Sequence, residues 1–226
     1  MLTGLRWLAL EAKYLDRAAS FYRQYLGMPE LRTTEDEVAF AAGDTELILR
    51  APSGVPRGGL HTHYALSTPY GAYDDWWDRL SERFDLVEHQ FGDARSLYFY
   101  DIEGNCVEIG QRGQEGDGIT GIFEVVLEVE DLARAEEFYT GLGMEPVSRG
   151  DERKRVRLSA GPFDFELWEP HLGLADARGG VHVDLGLSTD DPAAAVDTVA
   201  ADALSVESLD DGVRVRDPDG HYLTFR

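Results

Sequence analysis

The sequence predicts an α+β chain of four modules, each a strand, a helix and three further strands, arranged as two tandem repeats. Three recurring signatures predict it. The first, Leu15-x-Arg17-Ala18-x-x-Phe21-Tyr22-x-x-x-Leu26-Gly27-Met28, returns as Leu132-x-Arg134-Ala135-x-x-Phe138-Tyr139-x-x-Leu142-Gly143-Met144. The second, Gly58-Gly59-Leu60-His61 followed by Leu66-Ser67-Thr68, returns as Gly179-Gly180-Val181-His182 followed by Leu187-Ser188-Thr189. The third, Asp101-x-x-Gly104 leading into Val107-Glu108-Ile109, returns as Asp217-Pro218-Asp219-Gly220 leading into Leu223-Thr224-Phe225. Three matches in the same order at nearly constant offset mark an internal duplication.

The elements follow in chain order. Leu5 to Glu11 and Phe123 to Glu130 are apolar or alternating, as half-buried strands are. Each leads into an amphipathic helix, with Ala18, Phe21, Tyr22 and Leu26 on one apolar face and Ala135, Phe138 and Tyr139 on its copy. Gly27 and Gly143 stop those helices. Strands at Val38–Ala41 and Glu46–Leu49 follow in the first copy, and at Arg153–Leu158 and Phe165–Trp168 in the second. Loops rich in Gly and Pro come next, Ala51–Gly59 and Pro170–Gly180. The cycle repeats with a strand from His61, a helix over about 72–84 and strands near Leu86–His89, Ser96–Tyr100 and Cys106–Gly110. The last quarter has a strand from His182, a helix over about 192–203 and strands near Val206, Val213 and Tyr222–Phe225. The polar, glycine-rich segment Gln111–Thr120 is the linker between the repeats.

Composition narrows the function. The 226 residues are 43% hydrophobic, which is enough for a packed core and places the chain outside the disordered class. The formal net charge is −22, and of 21 basic residues only Lys13 and Lys154 are lysines. Such a field repels nucleic acid and anionic membranes, so neither is an expected partner. An acidic, lysine-poor surface points to a salt-loving source, where counterions screen the self-repulsion. No apolar run approaches the ~20 residues needed to span a bilayer. With no signal-peptide pattern at Met1–Trp7, the expected location is cytoplasmic. Cys106, the single cysteine, lies in an apolar strand pattern and is read as a buried, inert thiol. There is no Ser-His-Asp order, phosphate loop or nucleotide fingerprint.

This pattern resembles the vicinal oxygen chelate superfamily, which includes glyoxalases, extradiol dioxygenases, fosfomycin-resistance transferases and bleomycin-binding proteins. The stretch Leu97-Tyr-Phe-Tyr-Asp-Ile-Glu-Gly-Asn-Cys-Val-Glu-Ile looks most like the catechol 2,3-dioxygenase branch. The resemblance implies two tandem vicinal oxygen chelate domains, 1–112 and 119–226, whose modules pair into cupped, barrel-like mixed sheets. It also implies a divalent metal ion (Fe, Mn, Zn or Ni) in a cup, held by the first and last strands of each module, with open positions for two adjacent substrate oxygens.

At the implied ligand positions, module one has Trp7, which cannot ligate, and Glu46. Module two has His61, or His63 two residues on, and Glu108. Module three has Glu124 and Glu166, and module four has His182 and Thr224, a poor ligand. Pairing within each half leaves two partial sets. Pairing module two with three, and one with four, collects His61 or His63 with Glu108, Glu124 and Glu166 in one cup. It leaves Trp7, Glu46, His182 and Thr224 in the other, which is then metal-free. The dioxygenase-like stretch favours the first pairing and the ligand census favours the second, and both stay open here.

Each candidate has a plainer alternative. Glu108 sits at an inward-facing apolar strand position, where an unpaired carboxylate is costly, so a ligand role outweighs an edge placement. His61 and His63 could be polar surface, Trp7 core filling or a stacking wall, and Tyr98 and Tyr100 core packing or phenols that donate a proton near Glu108. His89, His171 and His221 are expected to be solvated. The leading expectation is a metal-dependent enzyme of glyoxalase or dioxygenase type acting on a small oxygen-rich molecule, as monomer or homodimer. A dioxygenase needs two histidines and one carboxylate around Fe(II), which requires both His61 and His63; a carboxylate-rich set suits Mn, Zn or Ni and proton-transfer chemistry. The alternative is a metal-free small-molecule binding protein.

Overall fold

The computed structural model describes residues 2–52, 59–112, 115–150, 154–170 and 182–226. It is an α+β fold of two eight-stranded mixed sheets, each assembled from two modules. Module one runs β1 (Leu2–Glu11), helix α1 (Leu15–Phe21), then β2 (Glu30–Thr33), β3 (Glu37–Ala42) and β4 (Thr45–Arg50). Module two runs β5 (His61–Thr68), α2 (Tyr73–Ser81), β6 (Val87–Phe91), β7 (Ala94–Tyr100) and β8 (Cys106–Gln111). Module three runs β9 (Gly121–Glu128), α3 (Leu132–Gly141), β10 (Glu145–Arg149), β11 (Arg155–Ser159) and β12 (Asp164–Trp168). Module four runs β13 (His182–Thr189), α4 (Pro192–Asp197), β14 (Ser205–Leu209), β15 (Gly212–Arg216) and β16 (Tyr222–Phe225).

The sheets do not follow the halves. One sheet has the order β14-β15-β16-β13-β1-β4-β3-β2, and the other β10-β11-β12-β9-β5-β8-β7-β6. Module one therefore pairs with four and module two with three, through antiparallel contact of their first strands, β1 with β13 and β5 with β9. The short linker after β8 fits this arrangement. It folds back beside β5, where Thr120 N donates to Ser67 O at 2.9 Å and Thr68 Oγ1 donates to Gly118 O at 3.0 Å, and it delivers the chain to the vacant side of that strand.

Local chemistry sets the helix ends. Gly27, at φ 60°, takes the left-handed turn after α1 and its wider continuation Tyr22–Leu26, and Gly143 does the same near α3 at φ 88°. Asp131 caps α3 by accepting from Arg134 N at 3.0 Å, and Asp191 caps α4 by accepting from Ala194 N at 3.0 Å, with Pro192 in the first turn. The helix expected over 192–203 ends at Asp197. The edge strands β2 and β10 are additional to the expected elements.

The main core lies on the faces of the sheets turned away from the cups, and Phe21, Tyr22, Phe99, Phe138, Tyr139 and Phe165 are among its buried members. Matching polar bonds cross it in the two halves. Tyr22 Oη donates to Asp101 Oδ2 at 2.7 Å, and Tyr139 Oη to Asp217 Oδ2 at 2.8 Å, all four residues being buried. In each half the tyrosine of the helix signature thus meets the aspartate of the strand signature, and the bond ties one sheet to the other. His221, expected to be solvated, is buried: its N–H donates to Asp217 Oδ1 at 2.7 Å and its ring packs on Gly59, where a Cβ would meet Nδ1 at 2.0 Å. His171 lies outside the described residues. Cys106 is buried, and burial pushes its thiol up to about 12. No helix of the described residues is long and apolar enough to cross a membrane.

Candidate metal centre

The cup of modules two and three is organised around β5. Ala65 pairs with Glu108 of β8 on one side and Glu124 of β9 on the other, so the two carboxylates flank a small residue on the same face. His63, two residues earlier, completes the group: Nε2 is 3.3 Å from Glu108 Oε2 and 3.6 Å from Glu124 Oε1. One donor atom from each of the three lies within 4.8 Å of the others, and all three residues are buried. Three separate strands deliver them, each with the period-two alternation that sends every second side chain inward.

Electrostatics match the geometry. Burial opposes a charge on His63, but hydrogen bonds and attraction from Glu108 and Glu124 outweigh it and hold the imidazole at about 9. Burial likewise opposes charge on Glu108, and His63, Ser96 and Tyr98 overcome it and lower its pKa. The protonated imidazole between two carboxylates sits where a cation is favoured, and a metal binding there displaces that proton. Glu124 is steadied from behind by Arg157 Nη2 at 2.6 Å, whose Nε also reaches Asp164 at 2.7 Å.

The remaining candidates divide. Glu166 lines the same cavity, of about 240 Å³, but its carboxylate is bound by Arg155 instead of joining the three-donor group. Burial and the neighbouring Glu124 raise its pKa, against the pull of Arg155. Tyr98 pairs with Glu108 across β7 and β8 and lines the cavity, its ring 5.6 Å from that of His63, and burial beside Glu108 raises its pKa. Tyr100 pairs with Cys106, is 43% exposed and is not among the cavity residues. His61 is not brought to the cluster. A register shift between His61 and His63 breaks the alternation of β5, and His61 turns toward Asn105 and Tyr64, away from the cavity, where burial drives its pKa down to about 3. His182 is in β13 of the other sheet, paired with Leu10, so it does not share a cup with His63.

The cup of modules one and four repeats the frame with different chemistry. Gly186 sits between Trp7 and Thr224 as Ala65 sits between Glu124 and Glu108. Asp184 occupies the place of His63, and the sequence reading missed it by following the Gly-Gly-x-His signature to His182. Trp7 Nε1 donates to Asp184 Oδ2 at 3.1 Å and Thr224 Oγ1 donates to its two oxygens at 2.8 and 3.0 Å. Glu46, opposite Trp7 on β4, is paired with Arg32 at 2.5 Å.

Residues 4–109 match the sequence profile of the Glyoxalase/Bleomycin resistance protein/Dioxygenase superfamily. Metallothiol transferases FosB from Staphylococcus haemolyticus and Staphylococcus epidermidis are each 26% identical over 116 residues, covering 48% of this chain and 84% of theirs. Among solved structures, a putative dioxygenase from Bacillus subtilis superposes with a TM-score of 0.76 at 18% identity, covering 99% of this chain and 84% of that one. Glyoxalase I from Zea mays gives 0.72 at 18% identity, covering 98% and 92%. These two likenesses establish a shared fold across the four modules. Residues 4–109 thus carry the profile of the Glyoxalase/Bleomycin resistance protein/Dioxygenase superfamily, and modules three and four repeat the element order of modules one and two.

Proposed function

We propose that the cup of modules two and three is the active site of a metal-dependent enzyme acting on a small molecule through two neighbouring oxygens, by proton transfer. The observation that carries the reading is the convergence of His63, Glu108 and Glu124 on one buried point. The donor set fits a divalent ion. Bonds of about 2.0–2.2 Å to one imidazole and two carboxylates place neighbouring donors roughly 3–3.6 Å apart, as His63 is from both glutamates. Such a set suits Mn, Zn or Ni, and the relatives named metallothiol transferases support metal chemistry in this frame. A divalent ion held there supplies Lewis-acid polarisation of a substrate oxygen.

The protein's own residues do the rest. Glu166, with its raised pKa and its carboxylate oriented by Arg155, is placed to take and return a substrate proton. Tyr98 faces Glu108 across β7 and β8 and helps hold its carboxylate in the charged form. Phe91, Phe123 and Trp168 line the walls and limit water. His61 faces elsewhere, so the described residues do not assemble the two-histidine, one-carboxylate set of an iron oxygenase, which turns the reading toward proton transfer.

Metal analysis of protein purified without a histidine tag tests this. The expected result is about one transition-metal ion per chain, lost in Glu108→Ala and Glu124→Ala. A chain that holds no metal, and whose melting is indifferent to Mn, Zn, Ni and chelator, would instead be the metal-free binding protein.

A further inference from the structure

We propose that the other cup, of modules one and four, binds a small organic acid, taking its carboxylate at an arginine rim and its apolar body on the floor. The cavity there is larger, about 560 Å³, within the range of small-molecule sites. Its floor is formed by Trp7 and Ile48, which are backed by Ala9 and Ala39 in an apolar cluster separate from the main core. Its wall carries five arginines, at 6, 32, 50, 214 and 226, against three carboxylates, Asp44, Glu46 and Asp184. In a chain with 43 acidic and 21 basic residues this is a local reversal of sign, set in a concavity that focuses it.

Two of the arginines are poised for a ligand. Arg32 and Arg50 are committed to Glu37, at 2.8 and 2.6 Å, and Arg32 also to Glu46. Arg214 is fixed from the floor by Nε donating to Thr224 Oγ1 at 3.3 Å, and its acidic partner Glu207 is 3.6 Å away and mostly exposed. Arg226 lies over the Trp7 ring, 4.9 Å from its centroid, paired at 3.1 Å with an exposed Asp211. Exposed pairs of this kind are weak, so a ligand carboxylate exchanges for them readily, and the guanidinium fork matches its geometry. Asp184 is buried with its oxygens accepting bonds from Trp7 and Thr224, which lessens its repulsion of such a ligand. The apolar floor selects an acid with an apolar body over a bare anion. This site is independent of the metal reading.

The test is titration of the intact protein with benzoate, benzamide and inorganic phosphate, followed by calorimetry and tryptophan emission, with Trp7→Phe identifying the part of the signal that comes from Trp7. Benzoate is expected to bind at one site and quench Trp7, with benzamide and phosphate at least about tenfold weaker. The double variant R214M/R226M is expected to weaken benzoate by about tenfold or more. Three results overturn the proposal: no benzoate binding up to on the order of 10 mM, benzamide or phosphate binding as tightly as benzoate, or benzoate affinity that falls with Arg112→Met at the mouth of the other cup. The comparison of benzoate with benzamide uses the unaltered chain, so the proposal stays open to refutation if R214M/R226M does not fold.

Discussion

Removing one hydroxyl, with Tyr139→Phe, measures what holds the two sheets together. Tyr139 Oη is the donor to Asp217 Oδ2 at 2.8 Å, while Oδ1 accepts from the N–H groups of Asp219 and His221 at 3.0 and 2.7 Å. Both residues are fully buried. The substitution keeps the ring and its packing and leaves Oδ2 without its donor. A buried hydrogen bond to a carboxylate contributes about 1.5–3 kcal/mol, and stranding the acceptor places this case at the upper end, about 2–3 kcal/mol. For a chain of this length that lowers Tm by roughly 4–12 °C. Tyr22→Phe is the internal comparison. Asp101 Oδ2 keeps Asn105 Nδ2 at 2.7 Å, and the Tyr64 hydroxyl, 2.6 Å from that of Tyr22, can take over as donor. Its cost is therefore smaller, about 1–2 kcal/mol. Urea denaturation followed by far-ultraviolet circular dichroism, with thermal melts at the same pH, gives both values. A Tyr139→Phe protein within about 0.5 kcal/mol of the parent, or one more stable than Tyr22→Phe, refutes the account of these bonds as the ties between sheets.

Three further outcomes follow from the two cups. Gly186→Ala puts a Cβ 2.1 Å from the Trp7 ring and is expected to cost about 1–3 kcal/mol with a shift in tryptophan emission; an unchanged melt and spectrum count against the packing described. Burial raises the pKa of Asp184 above its ordinary 3.8, despite the opposing bonds from Thr224 and Trp7. Stability from this group is therefore present below pH 3.8 and lost as pH rises through the folded value. The Tm difference of Asp184→Asn minus parent is expected to grow more positive from pH 4 to pH 7, and a difference that shrinks contradicts the sign. Arg157→Met removes the guanidinium behind Glu124 and is expected to weaken metal binding by about 10–100-fold while leaving the fold intact, measured by competition with a chromophoric chelator.

The duplication was legible because its signatures are the residues that pack and bond: Phe21 with Phe138, Tyr22 with Tyr139, Asp101 with Asp217. Edge strands β2 and β10 were not. All residues of β2 are exposed, and β10 is nearly so, which leaves no inside–outside alternation to read. Ligand chemistry on the first and last strands pointed toward the crossed pairing, since only that pairing brings Glu108 and Glu124 together. What sequence spacing could not settle was His61 against His63. Residues two apart share a face only in an unbroken strand, and the shift between them turns His61 into the interior. The same two-residue ambiguity in β13 hid Asp184 behind His182. His221 read as surface because its loop is polar, yet the folded loop packs its ring against Gly59.

Each sheet takes one module from either half, and this bears on how such a chain could arise. A polypeptide of one half alone has no partner for its own first strands and would close its sheets only against a second copy of itself, giving two identical cups related by symmetry. Joining the copies through the short stretch after β8 lifts that constraint: a change on one strand no longer appears in both cups. Glu124 and Trp7, or His63 and Asp184, could then part company without either cup dragging the other along. Fusion of a symmetric pair into a single chain is what allows this molecule to keep a cation-seeking hollow and an arginine-rimmed one side by side.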